Sequence, residues 1–505
     1  MASKLPDLGG GGVEDGGGKK WPGFVQFFFV LSVVLCVLLY APRFIVLTPT
    51  YGLDFFPQPP PNVTTSPARV VGDHNAGEVV VLDNQLRSPC SSLAGDTICC
   101  DRSDFNTDVC FMAGDVRTDP SSLSLLLFPK QPPAANATVE ERIRPYTRKW
   151  EALIMSRVEE VRLRMAPPEE EPGHRCDVRH DAPLLVMTAG GYTGNLFHAF
   201  SDGFVPAWLT VQHLRRRVVL GVLSYNPWWA GTYGEIISGL SDYHVVDLLH
   251  DKRTHCFPGA IVGTRFHGIL SVDPARLRDN KTIVDFHDLL AGVYETAGDT
   301  VVVDDVTQPA PRRPRLGIVS RRGTRVIENQ AAVARLARSV GFDVDILETA
   351  NGLPLPASYA SVSACDLLVG VHGADLTKLL FLRPGAALVQ IAPLGLAPIA
   401  RGCYAEASAR MGLHYEQYDA EGHESSLSRK YGLRDVVVSD PEAAKRDKGL
   451  GLRRPRLPRR PERHPRPLQV PTHAHQAARA RPARTLVAPS AVDGLSDSSG
   501  RSSHG

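Results

Sequence analysis

The sequence predicts an α/β protein of two lobes around a cleft, preceded by a single membrane-spanning helix. Three observations carry this expectation. From residue 183 onward, short apolar runs alternate with helical stretches, which argues for mostly parallel sheets covered by helices. Residues 307–315, TQPAPRRPR, break the alternation with three prolines, and a second alternating unit follows. Residues 24–41, FVQFFFVLSVVLCVLLYA, form one uncharged apolar run.

That run comes first in the chain. At about 1.5 Å per residue it reaches about 27 Å, enough to cross a thin bilayer. Lys19 and Lys20 precede it, so residues 1–23 stay cytoplasmic and the rest enters the lumen. A cleaved signal peptide is the alternative, but its apolar core is shorter and ends in small residues. Here the run closes on Leu39-Tyr40-Ala41-Pro42-Arg43, which fits an uncleaved signal anchor. Residues 42–80, with Pro57, Pro59, Pro60 and Pro61, read as a stem. Three N-glycosylation triplets begin at Asn62, Asn136 and Asn280, all beyond the span.

Nine cysteines are present, and Cys36 lies inside the apolar run. The remaining even number permits full pairing in an oxidising lumen. Cys90, Cys99, Cys100 and Cys110 crowd one short window without the paired CxxC units or histidines of a zinc site. They read as a disulfide staple whose connectivity the spacing leaves open.

Residues 81–306 make the first lobe. A strand is expected near Val79, in EVVVLD, and a charged helical pattern over 140–165. Strands follow at 184–187, 218–223, 245–247 and 260–263, with helices at 196–214 and 233–240. Residues 316–448 make the second lobe. Strands are expected at 316–319, 342–347, 367–371 and 387–391, with helices at 328–340, 357–364 and 374–382. Ligands of open α/β sheets bind beyond the carboxyl ends of the strands, so the loops there hold the candidates.

Three loops qualify. Ser320-Arg321-Arg322-Gly323-Thr324-Arg325 follows a strand, and its guanidinium groups offer forked, permanently charged donors to a diphosphate. Gly370-Val371-His372-Gly373-Ala374-Asp375 joins a strand to a helix, whose free N–H groups favour an anion near Gly373 and Ala374. Asp375 opposes that reading unless it turns away or caps the helix. Gly190-Gly191 opens a helix bearing His198 and Asp202 at i, i+4, so both face one way. A carboxylate backed by a histidine can take a proton from a hydroxyl, which makes Asp202 the expected base. Trp228 and Trp229 offer faces for sugar stacking or for the core. Asp343-Val344-Asp345 has the DxD form of some metal-dependent transferases, yet its alternating neighbours read as a strand with one solvated face. No metal site is therefore indicated.

The charge balance narrows the function. The net charge is +2, but residues 451–505 hold eleven arginines against Glu462, Asp493 and Asp497, so the body is acidic. A basic body that wraps nucleic acid is excluded. Residues 449–505, rich in Arg and Pro, cannot pack as an α/β element and read as a disordered basic tail. Such Arg/Pro/Ala/His text is also what a GC-rich coding region yields out of frame, and both readings stand.

Together these segments resemble glycosyltransferase family 61, in particular its plant branch acting on xylan. The resemblance covers residues 98–448. It is carried by Cys100-Asp101-Arg102-Ser103, Thr107-Asp108-Val109-Cys110, Gly114-Asp115-Val116-Arg117, GGYTGNLFHAFSD, SRRGTR, GVHGADLTKLLFLRPGAALVQIAPLG at 370–395, Tyr404-Ala405-Glu406 and the stretch 415–431. It implies a Golgi type II protein of the GT-B fold that transfers a pentose, arabinofuranose or xylose, from a UDP-sugar to xylan with inversion. Arg321, Arg325 and His372 would then hold the diphosphate, and His198 and Asp202 would lie on the acceptor side. A divalent metal is not obligatory where such donors stand. Association with other Golgi transferases is expected too. The alternatives are transfer of xylose or N-acetylglucosamine to glycoprotein glycans, and an inactive homologue that acts as a binding partner. The chain departs from the family at Asp375 and Lys378, where Gly and Asn are more usual, and in its closing segment.

Overall fold

The computed structural model describes residues 82–130, 140–295, 312–348 and 354–447. The apolar run, the stem, Asn62, Asn136, most of the linker and the basic tail lie outside the described residues. So does most of the strand expected at EVVVLD. Among the described residues no helix is long and apolar enough to cross a membrane.

The first sheet has ten strands: β1 (Thr97–Asp101), β2 (Val109–Asp119), β3 (Ser124–Phe128), β4 (Glu140–Ile143), β5 (Val161–Met165), β6 (Val178–Arg179), β7 (Leu184–Thr188), β8 (Val219–Leu223), β9 (Val246–Asp247) and β10 (His255–Val262). The main order is β4-β5-β3-β2-β10-β7-β8-β9. It is parallel from β10 to β9, where strands and helices alternate in sequence. On the other side β2 runs antiparallel to β1, β3 and β10, and β4 antiparallel to β5. The parallel order expected from residue 183 onward holds among β7 to β10, and the antiparallel part is added by the segments before them.

The charged helix expected over 140–165 is instead two strands with one helical turn, Ala152–Met155, between them. Val161 and Leu163 point inward while Arg162 and Arg164 alternate with them. The charges that look like helical i, i+4 pairs are cross-strand partners: Arg162 donates to Glu140 at 2.6 and 2.9 Å.

The second sheet holds β11 (Arg315–Ser320), β12 (Asp343–Glu348), β13 (Leu367–Val371), β14 (Ala387–Ala392) and β15 (His414–Asp419). All neighbours are parallel, in the order β12-β11-β13-β14-β15. Sequence order reverses between β11 and β13, which opens a crevice beyond their carboxyl ends. The four strands read from the sequence match here, β11, β13 and β14 as buried apolar runs and β12 as an alternating edge strand; the polar edge strand β15 is not among those expected.

The helical run after β7 starts at α1 (Leu196–His198), widens into a π-helical turn at Ala199–Phe204 and resumes as α2 (Val205–Val211). Asn195 caps it by accepting from the Phe197 N–H at 2.9 Å. Pro206 has no N–H to return to the Asp202 carbonyl, which accepts from the Thr147 hydroxyl at 3.1 Å. Further helices are α3 (Pro227–Leu240), α4 (Ile283–Glu295), α5 (Gln330–Ser339), α6 (Leu355–Ser363) and α7 (Ala397–Arg410). The segment Ala374–Phe381, expected as an α-helix, winds as a tighter 3₁₀ helix.

One apolar core joins the two sheets. Phe200 from the π turn lies 6.3 Å from both the Phe286 ring of α4 and the Phe381 ring of the 3₁₀ helix. His287 Nδ1 is 2.8 Å from the Leu380 carbonyl. This packing brings α1 against the loop after β13.

Three disulfides are present: Cys90–Cys99, Cys100–Cys110 and Cys176–Cys256. Cys365 and Cys403 are free, so the even count does not translate into full pairing. Trp229 is buried and stacks on Phe204 in the core, while Trp228 is exposed.

Candidate functional site

Two clusters face each other across the joined sheets. The first forms at the reversal point between β11 and β13. Arg325, in the loop after β11, adopts the left-handed region at φ 57° and donates to the His372 carbonyl at 3.0 Å. Such backbone strain in a residue other than glycine is commonly held at functional sites. Arg321 lies beside Gly373: a Cβ on that glycine would collide with its guanidinium and come within 3.2 Å of Arg325 Nη1. Glycine is required here for close approach, not for backbone freedom.

Arg321 Nη1 is 3.0 Å from Asp375 Oδ2. The contact is an ion pair without hydrogen-bond alignment. Burial and the neighbouring Arg321 both lower the Arg325 pKa, the mark of two cations held together. Burial also pushes the His372 pKa below its ordinary value; Gln390 opposes this, and Arg325 and Arg321 reinforce it. His372 is therefore held neutral beside the arginines. This is a concentrated positive site suited to an anion. Arg322 does not join it: its side chain is 84% exposed and sits 3.4 Å from Glu348 at the end of β12. Ala374 begins the 3₁₀ helix directly behind Gly373.

The second cluster centres on Asp202. Its Oδ2 accepts from Arg148 Nε at 2.6 Å and from Tyr146 Oη at 3.1 Å, and lies 2.7 Å from His198 Nδ1. Arg148 Nη2 reaches Oδ1 at 3.3 Å. Tyr146 packs over Gly191, where φ is 65° and a Cβ would meet the ring at 2.5 Å. The Tyr192 N–H donates back to Tyr146 Oη at 3.0 Å. Burial opposes ionisation of Asp202, but its bonds from His198 and Arg148 and the Arg148 charge outweigh that and hold its pKa below the usual carboxylate range.

This geometry changes the expected division of labour. The Asp202 side chain is 3% exposed and saturated with donors, whereas His198 is 23% exposed and lines a cleft of about 750 Å³ with Tyr192, Trp150 and Glu151. The group open to a substrate is the imidazole. Asp202 stands behind it and orients it, as the carboxylate of a hydrolytic triad does.

Tyr404 of α7 ties the clusters together. Its hydroxyl donates to the Gly373 carbonyl at 2.7 Å, and its ring lies 5.9 Å from His372 and 5.8 Å from Phe197, the neighbour of His198. Sequence reasoning missed Arg148 and Tyr146, which fall inside the charged pattern read as a helix over 140–165 but lie in an irregular segment. Tyr404 entered only through the family resemblance.

Asn280 is exposed and sits in the left-handed region at φ 54°. Asp343 and Asp345 lie on edge strand β12, where Asp345 pairs with Arg315 at 3.2 Å. Among the described residues there is no group of three or more His, Cys, Asp or Glu arranged to hold a metal ion.

An α/β fold with paired arginines at a reversal point, linked through Tyr404 to a histidine–carboxylate pair, is suited to an enzyme with an anionic substrate. Comparison with known proteins names the class more closely. The Glycosyltransferase 61 profile matches residues 196–389. A xylan glycosyltransferase of Arabidopsis thaliana is 36% identical over 375 residues, covering 72% of this chain and 76% of that protein. A beta-1,2-xylosyltransferase of Oryza sativa subsp. japonica is 35% identical over 357 residues, covering 68% and 76%. An alpha-1,3-arabinosyltransferase of the same rice is 33% identical, covering 68% and 58%. The chain belongs to the glycosyltransferase 61 family and is a glycosyltransferase. Membership implies a nucleotide-sugar donor and a glycan acceptor.

Proposed function

We propose that this glycosyltransferase moves a pentose, arabinofuranose or xylose, from a UDP-sugar to xylan or its side chains with inversion. The observation that carries this reading is the pairing of Arg321 and Arg325 over Gly373 with the His198–Asp202 pair, joined through Tyr404. The activities for which the plant relatives are named support the pentose and the xylan acceptor. Two relatives that transfer N-acetylglucosamine to protein-linked mannose match 40% of this chain at 25% identity and 46% at 32%, less of the chain than the plant xylan enzymes match, which favours xylan over a glycoprotein acceptor.

In this mechanism the acceptor hydroxyl attacks the anomeric carbon from the face opposite the UDP. The bond from that carbon to the diphosphate oxygen breaks, and the hydroxyl proton passes to His198. Asp202 holds the imidazole in the accepting tautomer and stabilises the cation that forms. Arg321 and Arg325, with neutral His372 beside them, meet the charge growing on the departing diphosphate. These donors supply the stabilisation that a divalent ion provides elsewhere, so no metal is required by this scheme.

We place the enzyme in the Golgi membrane as a single-pass type II protein. The uncharged run at 24–41 behind Lys19 and Lys20 supports this, as does the exposed Asn280. Three disulfides belong to an oxidising compartment. The test is transfer by the purified full chain from UDP-arabinofuranose and UDP-xylose onto xylo-oligosaccharides. Product with inverted anomeric configuration is expected from one donor. UDP binding without product from either donor would overturn the assignment and favour a non-catalytic homologue.

A further inference from the structure

Beside His198 the cleft is lined by the exposed ring of Trp150, and a second exposed aromatic ring, Phe105, stands next to it. The Phe105 and Trp150 side chains are 72% and 46% exposed, with 10° between their planes and 6.4 Å between their centroids. Trp150 lines the same cleft as His198 and Tyr192. Arg148, which holds Asp202, places its guanidinium carbon 5.9 Å from the Trp150 ring and 5.5 Å from the Tyr192 ring. The aromatic surface is thus continuous with the cluster that would receive the acceptor hydroxyl.

The rings are held out by a built frame. The Lys149 N–H donates to the Asn106 carbonyl at 2.9 Å, and Lys149 Nζ donates to the carbonyls of Arg102 and Asp104 at 2.8 and 3.2 Å. Asp108 then takes both Lys149 and Arg102 at 2.7 Å. Two segments over forty residues apart are locked together, and the side chains between the locks are large and apolar. Exposed aromatics on a fixed frame at the mouth of a cleft mark a binding surface.

We propose that Phe105 and Trp150 form an acceptor subsite that stacks the pyranose rings of a β-linked xylan chain, next to the residue receiving the sugar. A β-linked pyranose turns axial C–H groups to both faces and keeps its hydroxyls at the rim, so flat aromatic rings grip the faces while the rim stays hydrated. Neither ring carries a charge, and the single indole N–H of Trp150 leaves the ring faces free, which suits a neutral sugar chain. The subsite rests on xylan being the acceptor, as argued above.

The experiment uses the full chain with a short and a long xylo-oligosaccharide and the active UDP-pentose. For the wild type, kcat/KM rises with acceptor length. Trp150→Ala and Phe105→Ala should each raise KM for the long acceptor between about threefold and tenfold, the loss of one ring contact. UDP affinity should stay unchanged in both, and Phe105→Ala, outside the cleft that His198 lines, should also leave the kcat and the rate on the short acceptor unchanged. Trp150→Phe should restore length dependence, which separates ring stacking from misfolding. Unchanged KM for the long acceptor in both alanine variants would overturn the subsite. If the wild type transfers to no xylo-oligosaccharide, the acceptor assignment fails instead. Retardation in xylan-containing native gels then decides the subsite: wild type slowed and Trp150→Ala released supports it, and equal mobility overturns it.

Discussion

Asp375 stands 3.0 Å from the Arg321 guanidinium, so the protein's own carboxylate occupies the cation that a donor diphosphate would seek. The pair is unaligned for hydrogen bonding, and Arg325 crowds the same space over Gly373. Two arginines share one carboxylate, which leaves net positive charge for a ligand. In the proposed scheme a diphosphate competes with Asp375 for Arg321, so Asp375 bears directly on donor affinity.

Removing that competition has a definite sign. Asp375→Asn keeps the size of the side chain and deletes its charge. Across a few ångströms at an effective dielectric near 20, loss of one repelled charge is worth about 1 kcal/mol after screening. UDP affinity should rise about fivefold in low salt by titration calorimetry, and the gain should shrink as salt is added. An unchanged or weakened affinity would mean that Asp375 positions Arg321 more than it repels the ligand.

Gly373→Ala tests the close approach from the other side. The new Cβ would meet the Arg321 guanidinium and Arg325 Nη1, both ends of flexible side chains, so the fold should survive. The cations must move off the strand end, and UDP affinity should fall at least about tenfold. Thermal unfolding should shift by only a few degrees. Full UDP affinity would show that the diphosphate is held elsewhere.

How much of this was legible in the sequence depends on the physics of each element. Leu184–Thr188, Val219–Leu223 and Leu367–Val371 are buried on both faces and read as plain apolar runs. β4 and β5 were obscured because Glu140, Arg162 and Arg164 satisfy each other across strands, and a charge pattern alone does not separate that from helical pairing. Arg321, Arg325 and Gly373 were visible as a motif because they sit together at strand ends. Arg148 was not, since it acts on Asp202 from 54 positions away in an irregular segment. For Trp229 the sequence left stacking and core both open: Asn226 caps a helix that turns the ring into the core.

The Cys176–Cys256 bridge closes a separation of 80 residues, against 10 for Cys100–Cys110. In the chain-entropy account these loops correspond to about 4.5 and about 2.6 kcal/mol. Replacing both cysteines of the long bridge with alanine should therefore lower the unfolding midpoint more than the same change in the short one. Equal shifts in calorimetric melts would show that native-state packing, not loop closure, sets their value.

His372 couples donor binding to protons. Burial and the nearby arginines keep its pKa below the ordinary value of about 6.5 in the free enzyme. A bound diphosphate adds negative charge next to it and raises that pKa. UDP binding near pH 6 should then take up a fraction of a proton, and affinity should rise as pH falls from 7 towards 6. Calorimetry in buffers of different ionisation enthalpy measures the uptake. His372→Asn should abolish it; uptake that persists in this variant would assign it to another group.

The roles of His198 and Asp202 separate by substitution. If the imidazole is the base, His198→Ala should lower kcat by about a hundredfold with UDP affinity intact. Asp202→Asn should cut kcat comparably by losing the tautomer lock, and it should also destabilise the protein. The half-buried Arg148 loses the carboxylate charge that faces it at 2.6 Å, a loss of about 2 kcal/mol. The folded-state pKa of Asp202 is depressed, so its stabilisation is present above about pH 4 and is lost as pH falls through the lower folded value. Variant and wild type should therefore differ most in melting at neutral pH and converge in acid. If Asp202 itself took the proton, His198→Ala would retain most of its activity, and that outcome would return the base to the carboxylate.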